Sequence, residues 1–274
     1  MKKMKSAFKK ASSAQEGNLN LLLLSTGFRG FANKVSEVYD VSPENPKTIL
    51  YVAYAVKDEE HAADRWAQAL APLGINIIPA HSVKDPAKVL DKVDGVFVSG
   101  GNTFRLVDRL QKTGLGKAIA RKVKKGMPYM GSSAGTNVAC PTIMTTNDMP
   151  IVAPKSFDAM GLVPFQINAH YFEGDFYYDD SDGKRVPYAG ETRTDRLVQY
   201  HEENTTPIVG LREGSALLIR GNTIELLGGK PAKVFKPGKT PADVSTGKAL
   251  ESLMKPAPAK KAAKPKKAPK NTKG

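Results

Sequence analysis

The chain has 274 residues, 41% of them hydrophobic, which suffices for one large α/β domain or two small ones. A net charge of +14 suggests a nucleic-acid binder, but residues 255–274 hold eight lysines and no acid and residues 1–16 hold five lysines against Glu16, leaving only +2 for residues 17–254. The single cysteine, Cys140, excludes an internal disulfide framework and any multi-cysteine metal site, and no run of about 18 apolar residues is present to span a membrane.

Cys140 is read as core packing in a reducing compartment, the cytoplasm. The N-terminal lysines do not introduce a secretory signal, because residues 11–18 are polar and the apolar block Leu21–Leu24 is short. That block is read as the first strand, over Leu19–Ser25, and Thr48–Tyr54 as the second. Gly27–Asp40 between them is loop and helix. Asp58 starts a helix carrying Ala62, Trp66 and Leu70 at spacings of four, which ends near Pro72-Leu73-Gly74. Ile75–Ile78 is a third strand. Asp85-Pro86 is an N-cap followed by proline at the first helical position, with the helix running to about Val93. Gly95–Ser99 is a fourth strand, Gly100-Gly101-Asn102-Thr103 opens a helix through about Gln111, and Lys117–Lys125 is helical and basic.

Met127–Met130 then reads as a short buried strand, followed by Gly131-Ser132-Ser133-Ala134-Gly135 and a helix from Thr136. Strand, tight G-x-S-x-G turn and helix is the context of a nucleophile elbow, with Ser133 at the strained corner and Ser132 pointing away. Strands and helices alternating at this rhythm imply a doubly wound, mostly parallel α/β sheet with helices on both faces. The two glycine-bearing loops then lie together at strand C-termini, where open α/β sheets build their sites. In the second half, Phe165–Ala169 is a strand ending at His170. A loop of aromatics and aspartates fills Tyr171–Tyr188, and Gly190–Gln199 begins a helix with Arg193 and Arg196 on one side. Ile208–Leu211 is a strand, and Ala216–Ile219 pairs with Thr223–Leu227 as a C-terminal β-hairpin around Gly221-Asn222. The domain organisation read from this is a basic disordered leader over 1–17, one α/β domain over 18–237, and a linker with a Lys/Pro/Ala tail that cannot fold over 238–274.

A serine nucleophile needs a base, and the chain offers four histidines. His61 falls on the polar side of a helix, His201 near a helix end beside Glu202 and Glu203, and His81 after an early strand. His170, after a strand in the half that follows the elbow, is the best candidate. Its orienting carboxylate could be Glu213, in the turn Leu211-Arg212-Glu213-Gly214, or Asp148, in Thr145-Thr146-Asn147-Asp148-Met149-Pro150.

These segments together resemble the peptidase E family of α-aspartyl dipeptidases, serine peptidases with a class I glutamine-amidotransferase-like, flavodoxin-like fold. The resemblance runs over about residues 19–236 and rests on Gly100–Phe104, Gly131–Gly135, Asn137–Ile143, Thr145–Val152, Gln166-Ile167-Asn168 with His170, Gly190–Arg193, and Gly210-Leu211 with Glu213-Gly214. It implies a triad of Ser133 as nucleophile, His170 as base and Glu213 as acid, with the backbone N–H groups of Gly101 and Ala134 as oxyanion hole. It implies hydrolysis after an N-terminal aspartate in dipeptides and short peptides, with no metal and no cofactor. Selecting that aspartate requires a cation for its β-carboxylate and an anion for its α-ammonium. Arg193 is read as the cation, Asp148 as the partner of the ammonium or else a support for His170, and Asn102 as a neutral hydrogen-bonding group.

Two features depart from the family pattern: the loop from Tyr171 to Ala189 is longer than usual, and the lysine-rich ends have no counterpart. The expected partners are short aspartyl peptides and, through the tail, polyanions bound weakly and without sequence preference; no membrane partner is expected, and the sequence leaves monomer and homodimer equally open. The alternative readings are a cyanophycinase-like hydrolase of β-aspartyl peptides, against which the Thr145–Pro150 segment argues, and a nucleic-acid-associated protein with a vestigial enzyme body.

Overall fold

Four consecutive leucines form the strand at the centre of the architecture, and all four are fully buried, as a strand covered on both faces requires. The structure, a computed structural model, describes residues 18–174 and 176–255; the basic leader and most of the lysine-rich tail lie outside the described residues. In chain order the first half runs β1 (Asn20–Leu24), α1 (Ala32–Tyr39), β2 (Lys47–Val52), α2 (Glu59–Leu70), β3 (Ile75–Pro79), α3 (Pro86–Val89), β4 (Gly95–Val98), α4 (Thr103–Thr113), α5 (Leu115–Val123), β5 (Tyr129–Ser132) and α6 (Ala134–Asn137). The second half runs β6 (Gln166–Tyr171), β7 (Tyr177–Asp179), β8 (Arg185–Pro187), α7 (Arg193–Glu203), β9 (Ile208–Arg212), β10 (Ala216–Arg220), β11 (Thr223–Leu227), β12 (Ala232–Phe235), β13 (Ala242–Val244) and α8 (Gly247–Leu250).

The main sheet has seven strands in the order β11-β10-β1-β5-β4-β2-β3. Strands β1 to β5 are parallel, and the hairpin β10-β11 joins antiparallel to β1, pairing Leu22 with Leu218. Side-chain alternation sorts the leucines onto two faces. Leu21 and Leu23 join the core beneath α4 and α5, whereas Leu22 and Leu24 pack with Val35 and Val38 of α1 and Ala63 and Leu70 of α2. The doubly wound sheet with helices on both faces and its hairpin are therefore as expected. The helix starts are also as expected: Asp58 and Asp85 cap α2 and α3 by accepting from the His61 and Lys88 N–H groups.

Four differences from the sequence reading stand out. Helix α3 stops at Val89 rather than near Val93, because Leu90 turns into the core. Helix α7 begins at Arg193, three residues after Gly190, where Thr192 and Asp195 form a reciprocal capping box. The stretch read as loop between Tyr171 and Tyr188 contains the two-stranded ribbon β7-β8. The fold also does not end at 237. A second, four-stranded sheet in the order β13-β12-β9-β6 includes Ala242–Val244, and Leu250 and Leu253 beyond it are buried. Hydrophobic residues at 250 and 253 give this segment apolar area to bury, which the lysine-rich stretch after it lacks.

Among the described residues no helix is long and apolar enough to cross a membrane. Cys140 is fully buried as core; its sulfur accepts the Ile167 N–H at 3.1 Å, and burial pushes the thiol up to about 12. A thiol with so little thiolate and no solvent access is inert. Native protein at pH 8 should therefore take up less than about 5% of one equivalent of an aromatic disulfide reagent within an hour, and one full equivalent after unfolding in guanidinium, read by absorbance.

Candidate active site

Strand β5 ends at Ser132 and α6 starts at Ala134, so Ser133 alone makes the corner, with φ 52° and ψ −109°. Such a conformation costs a non-glycine residue on the order of 1–3 kcal/mol and persists only where the surroundings enforce it. The enforcement is visible on both sides. The Ser133 N–H donates to the Leu24 carbonyl at 3.0 Å, and the Thr136 hydroxyl donates toward the Leu24 and Gly131 carbonyls. A Cβ at Gly131 would lie 2.6 Å from the Gly135 carbonyl oxygen, so only glycine lets the turn close. Ser132 donates to the Thr26 carbonyl at 2.8 Å and points away, as expected. Ser133 precedes α6, yet its side chain forms no cap, which leaves Oγ for another partner.

That partner comes from the second sheet. Strands β6 and β9 are parallel with Ala169 opposite Leu211 and Tyr171 opposite Arg212, so His170 is an extra residue bulged out of register, at φ 56°. Its backbone N–H donates to Ser25 Oγ at 2.9 Å, and the Ser25 hydroxyl donates in turn to the Leu211 carbonyl at 2.9 Å. The buried Ser25, one residue past β1, thus ties the bulge to the main sheet. The outcome is a line of three side chains: His170 Nε2 is 2.8 Å from Ser133 Oγ, and His170 Nδ1 is 2.6 Å from Glu213 Oε2. An imidazole with its proton on Nδ1 donates to Glu213 and leaves Nε2 to accept the serine proton, which equips the line for acyl transfer. Glu213 follows β9 directly and remains exposed, as does part of His170. The other histidines are occupied elsewhere: His61 lies in the capped first turn of α2, His81 contacts Glu59 and Glu60, and His201 faces the Asn204 carbonyl at 3.2 Å.

Because β4 and β5 are neighbours, the loop after β4 lies against the elbow. A Cβ at Gly100 would come within 3.0 Å of the Ser133 Cβ. Gly101 has φ +134°, and a Cβ there would meet the Ala55 carbonyl oxygen at 2.6 Å, so this close approach too requires glycine. Ala134 occupies the first position of α6, where a backbone N–H has no intrahelical acceptor.

Asn102 and Asp148 are structural anchors. Asn102 caps α4 by accepting from the Arg105 N–H, and its amide donates to the Met149 carbonyl at 2.9 Å. Asp148 accepts from the Thr103 N–H at 2.7 Å and from the Thr146 hydroxyl at 3.1 Å, holding a carboxylate against the N-terminus of α4. Of the two acids weighed for His170, it is Glu213 that occupies Nδ1, and among the described residues Asp148 makes no hydrogen bond or ion pair with His170; that option is corrected. A partly buried network missed at the level of sequence completes the support. Asn137 reaches Thr103, Thr146 and the Ala169 N–H, and Asn147 donates to the Ala169 carbonyl at 2.9 Å, so the Thr145–Pro150 segment braces the strand that carries His170. For Ser25, Asn137 and Asn147 no spacing signal existed.

Arg193, the first residue of α7, lines a cleft of about 680 Å³ with Phe172, Glu173, Gly174, Phe176, Thr192 and Thr194. Burial first, and then the like charge of Arg196, lowers its guanidinium below the ordinary arginine range, while the Glu213 carboxylate acts the other way. The two acids nearest Arg193 along the chain are engaged: Glu191 with Arg196 and Gln199, Asp195 with Thr192. Among the described residues Arg193 has no ion-pair partner.

The family model described as Peptidase family S51 matches residues 21–227. A protein named "Peptidase E" from Streptomyces coelicolor is 42% identical over 239 residues, 86% of this chain and 95% of its own length. A protein named "Probable alpha-aspartyl dipeptidase" from Drosophila melanogaster is 40% identical over 223 residues, 79% of this chain and 90% of its own. The crystal structure of a peptidase from an acI-B1 Actinobacterium shares the fold, with a TM-score of 0.61 at 17% identity over 85% of this chain and 96% of the other.

Proposed function

The chain belongs to peptidase family S51, and from that premise we propose that it is a serine peptidase hydrolysing the α-peptide bond after an N-terminal aspartate in dipeptides and short peptides. The observation that carries the reading is the continuous hydrogen-bonded line from Ser133 through His170 to Glu213. His170 Nε2 takes the Ser133 proton as Oγ attacks the aspartyl carbonyl, and Glu213 stabilises the imidazolium that forms. The backbone N–H groups of Gly101 and Ala134 receive the oxyanion, the imidazolium protonates the departing amine, and water activated by His170 then releases aspartate from Ser133. No residue role in this cycle calls for a metal or cofactor. A cytoplasmic site of action belongs to the same proposal and is supported by the unpaired Cys140. The test is hydrolysis of an aspartyl chromogenic amide beside its glutamyl, alanyl and β-aspartyl analogues. A preference for the β-aspartyl compound would overturn the reading in favour of a cyanophycinase-like activity.

Arg193 is the proposed cation for the aspartate side chain, since its guanidinium is half-buried, has no ion pair among the described residues and can grip a carboxylate with two parallel hydrogen bonds. Asp148 accepts from Thr103 and Thr146 through Oδ2 alone, and its Oδ1, without a hydrogen bond among the described residues, is the proposed partner of the substrate ammonium; Asn102 stays in the proposal only as the cap that holds the Gly101 turn. Losing a charge-assisted hydrogen bond costs about 1.5–3 kcal/mol, so Arg193→Met should lower kcat/KM for Asp-Leu by about ten- to a hundredfold. Asn-Leu should start low and fall much less. Equal losses on both substrates would mean that Arg193 only positions α7.

A further inference from the structure

The ribbon that follows His170 presents a cluster of large apolar rings to solvent beside the cleft. Phe172 is 56% exposed, Phe176 51% and Tyr188 56%, and they form a tilted, edge-on cluster in which the Phe176 centroid lies 5.8 Å from Phe172 and 6.4 Å from Tyr188. Their placement is fixed from both ends. The Tyr188 N–H donates to the Phe176 carbonyl at 2.7 Å, and Glu173, between Phe172 and Gly174, bonds Arg212 at 2.7 Å and Lys233 at 2.9 Å. Arg212 directly precedes Glu213, so the ring cluster is anchored to the strand that delivers the triad acid. Phe172 itself is two residues from His170 and, with Phe176, shares the cleft with Arg193.

The cleft is far larger than an aspartyl side chain, and its lining is chemically mixed. It holds a guanidinium that has no ion pair among the described residues. It also holds aromatic rings and a carboxylate already committed: Lys233 first, and Arg212 with it, keep Glu173 below the ordinary carboxylate range. The guanidinium suits an acidic group and the rings suit an apolar one. Exposed rings gain when apolar surface covers them.

We infer that Phe172 and Phe176 form the subsite for the residue that follows the aspartate, and that they select peptides in which this residue is large and apolar or aromatic. The inference rests on the aspartyl-peptidase reading above. A bulky downstream side chain lies across Phe172 and Phe176 while Arg193 holds the aspartate, whereas glycine leaves the rings wet.

The experiment measures kcat/KM of the full chain for Asp-Gly, Asp-Leu, Asp-Phe and Asp-Lys, and repeats it for Phe172→Ser, Phe176→Ser and the conservative Phe176→Tyr. In the unaltered protein Asp-Phe and Asp-Leu should exceed Asp-Gly by about tenfold or more, the scale at which an apolar pocket discriminates, with Asp-Lys below both. Each serine substitution should cut the Asp-Phe to Asp-Gly ratio by about five- to tenfold, chiefly through KM, and Phe176→Tyr should preserve it. The ratio is independent of how much protein is folded, so a variant that merely folds poorly leaves it unchanged. An unchanged ratio in both serine variants, or a flat panel in the unaltered protein, overturns the inference while leaving aspartyl hydrolysis intact. Absence of hydrolysis across all four aspartyl peptides overturns both the inference and the reading beneath it.

Discussion

Replacing Ser133 by alanine lowers kcat on an aspartyl dipeptide by about three to six powers of ten, and His170→Ala does so to a similar extent, because members of a nucleophile-base pair act as a unit. The geometry dictates the equality. Ser133 Oγ has no helix-capping bond to fall back on, and its 2.8 Å contact with His170 Nε2 is the route by which its proton leaves. Glu213→Gln costs less than either, since the amide still accepts or donates at Nδ1 while the charge that stabilises the imidazolium is gone. Stopped assays on purified variants, with circular dichroism to establish that the fold is unchanged, read these values. Full activity in Glu213→Gln together with its loss in Asp148→Asn would show that the acid has been misassigned.

Gly135→Ala has the second large effect, and it acts on folding. By helix propensity alone, alanine in α6 should stabilise by about 1 kcal/mol. A Cβ there, however, would lie 1.9 Å from the Val98 carbonyl oxygen and 2.7 Å from its carbon, both backbone atoms of β4. Neither can rotate aside. Strand β4 and helix α6 must separate, which moves the Gly101 loop away from Ser133 and breaks packing around the fully buried Val98 and Ala134. Overpacking of this severity costs about 3 kcal/mol or more, equivalent to a fall in Tm of roughly 6–12 °C for a domain of this size, with activity lost alongside it. Scanning calorimetry decides the matter, and an unchanged Tm would show that the elbow tolerates a wider approach than its geometry implies.

Local signals carried much of the fold. Leu21–Leu24 read as a buried strand because parallel strands covered on both faces need continuous apolar runs, and Asp58 and Asp85 read as caps because capping is settled within three residues. The elbow was legible for the same reason, since Gly131 and Gly135 answer to contacts made inside one turn or with one neighbouring strand. What resisted reading depends on pairing between distant segments. Glu213 and Asp148 are equivalent as acids in turns, and only the register of β6 against β9, with His170 bulged, places one of them on Nδ1. Ser25 is an unremarked serine after a strand until Leu211 and His170 arrive on either side of its hydroxyl. The extension past 237 was missed because Ala242–Val244 is too short to show periodicity, although it completes a sheet.

The catalytic parts are divided between the two sheets: the nucleophile and its adjoining glycine loop belong to the seven-stranded sheet, and the base and acid belong to the four-stranded one. The ribbon of residues 177–187 emerges just after His170, from the sheet that does not carry Ser133. Insertions and ring substitutions there can accumulate without any change to the elbow's steric constraints. Such a partition uncouples the outer wall of the cleft from the strained corner that carries the nucleophile, although the wall shares its sheet with the base and the acid.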